Sequence, residues 1–351
     1  MAALSDILSA GLIEKDTNGD VLWTWCYPSV THELRELYIR KCGLSSDKQE
    51  LLPFVYSQWR RTWYYIYNCH VEENDNLPKV TDFSLVLTAK DFNPEKYEAL
   101  CKIFTKQYRK TGNPANMLES YLSVITKGTC NGEENGTFTL ANFDHRQAYA
   151  NGPMRNVIET FGVETILIYT ALLLRKKLVV YHPHLEDLLM FIRILPAFVW
   201  HRQDWSILFP YLSLDGKDLD NLKSNTAYVA GFTDVSVESR TDLYDVYIGL
   251  ADRQIEISPA AKESFAMGKL HKDMAIAMVQ SVEDDQKSNQ QIIKDISVKT
   301  KELLNNLKTL ATEHEDGQSY ITLERLKDRK MPAATENFLY TLAVCEGLVK
   351  L

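Results

Sequence analysis

The clearest pattern in the chain lies between residues 161 and 212, where apolar positions change period from helical to extended and back. Residues 163–174 form an apolar run that stops at Arg175-Lys176-Lys177. Residues 166–174 carry no charge, so the run predicts a helix that is apolar nearly all round and deeply buried. It is shorter than the ~20 apolar residues a membrane span needs. Leu178-Val179-Val180-Tyr181 follows as a β-branched strand ended by His182-Pro183. Leu185, Leu188, Leu189, Ile192 and Leu195 then recur at helical spacing, and an aromatic loop over 196–205 leads into Phe209-Pro210-Tyr211-Leu212. Helix, buried strand, helix and aromatic loop predict an α/β layer with its strand covered on both faces.

The preceding residues predict a smaller α/β unit. Segments 11–14 and 21–25 flank Asp16-Thr17-Asn18-Gly19-Asp20, and Asn18-Gly19 marks a tight hairpin. Asp16, Asn18 and Asp20 also imitate the start of a calcium loop. Val21 stands where that loop needs Gly and Tyr27 where it needs Glu, so calcium is excluded. After Tyr27-Pro28, Ser29 or Thr31 caps a helix with Leu34, Leu37 and Tyr38 inward. Runs 54–58, 63–67 and 83–87 are aromatic and β-branched and read as strands. Asn93-Pro94 opens a helix with Tyr97, Leu100, Ile103, Phe104 and Tyr108 on one stripe, and a second helix covers 117–127.

Gly128, Gly132 and Gly136, with little apolar mass around them, read as a connection. Beyond the central layer, 228–232 predicts a strand, and 244–250 with 254–257 predicts a hairpin around Asp252-Arg253. Met267, Leu270, Met274 and Met278 share one helix face, and Ile292, Ile296, Leu303, Leu307 and Leu310 another. Pro332 precedes a last helix with Phe338, Leu342, Cys345 and Val349 inward. The expected organisation is a first lobe over 1–128, a linker over 129–142, a central α/β lobe over 143–260 and a helical part over 261–351.

A length of 351 residues with 45% hydrophobic and 25% charged residues suits a globular protein of two units. The net charge of −8 argues against a nucleic-acid partner and against direct membrane insertion or strong attachment to anionic lipid. The first residues lack a basic segment, and Ala2 stands where N-myristoylation needs Gly. A cytoplasmic protein that meets membranes through partners is the expectation. The six cysteines form no CxxC pair and read as reduced, buried thiols.

Motifs of covalent chemistry do not occur: there is no GxxxxGK(S/T), GxGxxG, HExxH or GxSxG. His182-Pro183-His184 has no Cys or acidic cluster beside it. Neither a metal nor a cofactor is expected, and no catalytic residue is assigned. What remains is Trp200-His201-Arg202-Gln203-Asp204-Trp205. Trp and Arg are the types most enriched at interaction hot spots, yet both Trp rings equally suit core plugs beside a solvated Arg202–Asp204 pair. Arg60-Arg61, between Trp59 and Trp63, fits a partner-facing strand end or a charged guard on an edge strand. Arg175-Lys176-Lys177 is accounted for by the helix dipole.

The block Ala171-Leu172-Leu173-Leu174 with its basic cluster and Leu178-Val179-Val180 resembles the central part of a DENN domain. The matching positions continue through Leu185-Glu186-Asp187-Leu188, Pro196 with Trp200, and Tyr228-Val229-Ala230-Gly231-Phe232. Segments 87–97, 199–205, 242–246, 266–272 and 334–340 are similar to a small late-endosomal member of that family, so the resemblance covers nearly the whole chain. Arg175 departs from it, standing where the family usually has Glu. The resemblance implies a two-lobed DENN module: a longin-like first lobe with an antiparallel sheet, a central lobe with a mainly parallel sheet flanked by helices, and a helical C-terminal region. It implies an exchange factor for a Rab-type small GTPase, bound across both lobes and peripheral on late endosomes. Contacts are then expected at Tyr27, Pro28, Arg60 and Arg61, and at Trp200, His201, Arg202, Asp204 and Trp205. The alternative it implies is a non-catalytic subunit recruited by coiled-coil partners to a Commander-like endosomal recycling assembly.

Overall fold

Asn18-Gly19 makes the turn it predicts: Gly19 takes φ +90°, and Asp16 Oδ1 accepts the backbone N–H groups of Asn18 and Asp20, both at 2.9 Å. This hairpin joins β1 (Ile7–Asp16) to β2 (Val21–Tyr27). In the computed structural model, which describes residues 6–45, 51–72, 74–132, 136–313 and 319–349, the chain divides into two compact units, Met1–Ala148 and Tyr149–Leu351.

The first unit holds a five-stranded antiparallel sheet in the order β2-β1-β5-β4-β3, completed by β3 (Phe54–Trp59), β4 (Thr62–His70) and β5 (Val80–Ala89). Both faces are covered, which is why β4 reads as a run of aromatics without polar alternation. Tyr64 and Ile66 pack with Leu37 and Tyr38 of α1 (His32–Lys41), whereas Tyr65 stacks at 4.3 Å on Tyr97 of α2 (Pro94–Thr111). Asn93 caps α2 through Lys96 N, and Pro94 occupies its first turn. The helix ends at Gly112, φ +62°, where a Cβ would lie 2.1 Å from the Asn76 carbonyl oxygen. Side-chain amides of Asn74 and Asn76 donate to the free carbonyls of Arg109 and Lys110. After α3 (Pro114–Lys127), the stretch 129–142, expected as a connection, carries the short hairpin β6 (Thr129–Gly132) and β7 (Gly136–Thr139). Residues 133–135 of that stretch lie outside the described ones.

The second unit centres on β8 (Lys177–Tyr181), whose Leu178, Val179 and Val180 are fully buried. Residues 140–173 are apolar enough in composition to cross a bilayer. Pro153 and Gly162 (φ +51°) break them, however, into α4 (His145–Ala150), α5 (Met154–Phe161) and α6 (Thr165–Leu173). Helix α6 is buried all round, as its missing polar face predicts. It closes with Lys176 N on Ala171 O and Arg175 N on Leu172 O, which leaves Arg175 in the left-handed region at φ +50°.

The chain then forms α7 (Leu185–Ile192), β9 (Leu208–Leu212), α8 (Gly216–Lys223), β10 (Tyr228–Phe232), β11 (Val246–Gly249) and β12 (Gln254–Ile257). The sheet order is β12-β11-β8-β10-β9, parallel except for β12. A helical region follows, led by α9 (Lys269–Val282) and α10 (Asn289–Lys308) and ending in α11 (Leu323–Lys327) and α12 (Ala333–Cys345). One part of the expected pattern shifts. Leu270 is exposed on α9, and His271 takes the buried place against Phe338. Arg155 fixes the α9–α10 loop by donating to the carbonyls of Val282, Asp284 and Lys287.

Candidate functional site

Tyr27 and Pro28 lie where edge strand β2 ends, and Arg60 and Arg61 where the opposite edge strand β3 ends, at the same end of the first unit's sheet. Strand β2 runs out at Tyr27, the Tyr27–Pro28 peptide is cis, and Thr31 caps α1 just beyond. From the first turn of α1, Glu33 receives both Arg60 Nη groups at 3.3 and 3.5 Å. The Arg60 guanidinium also lies 5.4 Å from the Trp59 ring centroid. Tyr27 is 41% exposed and meets Tyr121 edge-on at 5.9 Å. Pro28 and Arg61 are exposed, and Arg61 has no hydrogen bond or ion pair among the described residues.

The turn that displays these arginines is strained. Trp59 pairs with Thr62 across a two-residue loop whose central residues, Arg60 and Arg61, have φ +48° and +65°. Two positive φ values define the turn normally filled by Asn-Gly, and each bulky residue there costs about 1–2 kcal/mol. Sequence reasoning found the two arginines but not Glu33. Its only signal was an acid in a capped helix's first turn, which the dipole alone accounts for.

In the second unit the loop after α7 is largely spent on internal contacts. Trp205 is 2% exposed, stacks on Tyr149 at 4.0 Å with an interplanar angle of 2°, and donates Nε1–H to the Arg193 carbonyl at 2.9 Å. Arg202 donates to the carbonyls of Leu172 and Leu173 at the C-terminal end of α6, at 2.8 and 2.7 Å. Its Nε and Nη2 also bond Glu346, which His201 Nε2 meets at 3.2 Å. Burial raises the Glu346 carboxyl, but these hydrogen bonds from His201 and Arg202 outweigh it and bring the group to about 2. Asp204 pairs with Ser206 rather than with Arg202, accepting its N–H and hydroxyl at 3.0 and 2.5 Å. Trp200 is half-buried, edge-on to Trp205. Of this loop, Trp200 and Asp204 keep part of their surface, whereas Arg202 and Trp205 face inward. Nothing in the local sequence pointed to Glu346, 144 positions after Arg202.

Together these features define an α/β protein of two units, with an antiparallel sheet, a mixed sheet and a helical C-terminal region, consistent with a DENN-like fold. The chain belongs to the DENN domain family. It is 52% identical over 346 residues to Putative DENN domain-containing protein 10 B of Homo sapiens, covering 98% of this chain and 97% of that protein. It is 52% identical over the full length of both chains to DENN domain-containing protein 10 of Danio rerio. The Dictyostelium discoideum protein of the same name is 38% identical, covering 97% of each chain. A family model described as Stabilization of polarity axis (SPA) matches residues 151–259.

Proposed function

We propose that this chain is a guanine nucleotide exchange factor for a Rab-type GTPase of the late endosomal pathway, peripheral on that membrane through its partners. The observation that carries the reading is identity of about half over nearly the whole length with DENN domain-containing proteins, so that both units are matched. Exchange needs no covalent step. The factor binds the nucleotide-free GTPase more tightly than the nucleotide-bound form, and that difference lowers the barrier to GDP release. A hundredfold acceleration corresponds to about 2.7 kcal/mol.

The proposed contacts in the first unit are Tyr27, Pro28, Arg60 and Arg61, exposed aromatic and basic groups on a strand end and a tight turn. In the second unit Trp200 and Asp204 make the contacts, and His201, Arg202 and Trp205 hold the loop that carries them. The test is release of a fluorescent GDP analogue from a panel of purified Rabs, with and without this protein. Acceleration of one or two Rabs is the expected outcome. A flat panel, with the protein still co-purifying with coiled-coil subunits, would replace this reading with that of a recruited subunit of an endosomal recycling assembly.

A further inference from the structure

The first unit's two hairpins meet the left-handed backbone of their turns with different residues. Its β1–β2 hairpin turns on Asn18-Gly19, with Gly19 at φ +90°, whereas its β3–β4 hairpin places arginine at both left-handed positions. Strain of that kind persists where surrounding contacts over-determine it. Arg60 supplies them, with its guanidinium on the Glu33 carboxylate and beside the Trp59 ring. The result is one arginine paired with Glu33 on the surface and, next to it, an exposed Arg61 without a hydrogen bond or ion pair among the described residues.

We propose that this turn reads an acidic side chain on the GTPase. Arg61 donates two parallel N–H bonds to a carboxylate of the partner, and Arg60, Glu33 and Trp59 are positioning residues that hold its guanidinium in register. The inference rests on the exchange-factor reading above and names the partner chemistry of one part of that surface. Arginine suits the task because its planar fork matches a carboxylate in two bonds, which the point charge of lysine does not. An anionic bilayer is the weaker occupant: one unneutralised cation on a chain of net charge −8 makes a poor tether to anionic lipid.

The test uses the full chain and three variants, Arg61→Ala, Arg61→Lys and the double substitution Arg60→Asn with Arg61→Gly. Each is measured for binding to nucleotide-stripped Rabs from the panel, for thermal unfolding, and for co-sedimentation with phosphatidylserine vesicles. Arg61→Ala is expected to weaken Rab binding about tenfold or more, and Arg61→Lys to recover only part of it. The Asn-Gly turn is expected to bind as weakly as the alanine variant while melting at a higher temperature than the parent chain. Undiminished Rab binding and GDP release in Arg61→Ala would overturn the inference and leave the exchange reading intact. If the parent chain binds no Rab, that reading fails and the inference falls with it. A lower melting temperature for the Asn-Gly turn would assign the arginines to fold stability. Loss of vesicle binding in the variants, with Rab binding unchanged, would assign them to lipid. Either of these last results also overturns it.

Discussion

The Glu346 carboxyl titrates near 2 in the folded chain against an ordinary value of 4.5, so its ionised form is favoured by folding. Because the folded value is the lower one, this contribution is present above pH 4.5 and disappears as the pH falls from about 4.5 to 2. A shift of that size corresponds to about 3 kcal/mol. Glu346→Gln is therefore expected to lower stability by about 2–3 kcal/mol at pH 7, with the gap to the parent closing across that acid window. Urea titrations at a series of pH values check it, and a constant gap would show that the carboxylate charge is not what Arg202 requires. Arg202→Ala would leave the part-buried Glu346 carboxylate with His201 alone and take a donor from the Leu173 carbonyl, at about 2–3 kcal/mol. Trp205→Ala would remove a ring packed between Tyr149 and Trp200, at about 3–5 kcal/mol. A cooperative melt unchanged in either variant would make the loop a surface feature after all.

Among the elements, β9 and β10 approach so closely that a Cβ at Gly231 would lie 2.2 Å from the Pro210 carbonyl oxygen. Gly231→Ala should cost about 1–3 kcal/mol through displaced backbone, read as faster amide exchange along β8, β9 and β10. The elements most legible in the sequence were those whose signal is local. Asn18-Gly19 set a hairpin, Asn93-Pro94 opened α2, and the uncharged run before Arg175 predicted a helix buried all round. Both α/β layers followed from such elements. Legibility failed where a choice depends on distant chain. Helix α9 offers Leu270 or His271 to the same neighbour, and only the placement of Phe338 decides. The Trp200–Trp205 loop has the composition of an interaction surface and of a core staple alike. Its role turns on Tyr149 and Glu346, which periodicity cannot bring to it.

At the scale of the whole molecule, all six cysteines are free. Burial pushes the thiols of Cys42, Cys101 and Cys345 up and those of Cys69 and Cys130 to about 11, so few are thiolates at pH 8. Maleimide labelling of the native protein should modify the part-exposed Cys26 first and reach the buried Cys42, Cys101 and Cys130 only on unfolding. Rapid native labelling of those three would contradict the burial described. The Arg202–Glu346 pair has a further consequence, in time rather than space. On a ribosome adding about 5–20 residues per second, Arg202 emerges roughly 7–30 s before the carboxylate that neutralises it. Through that interval the nascent chain can cap the end of α6 with the guanidinium but holds its charge uncompensated. The second unit's core is thus completed only when a segment made much later arrives.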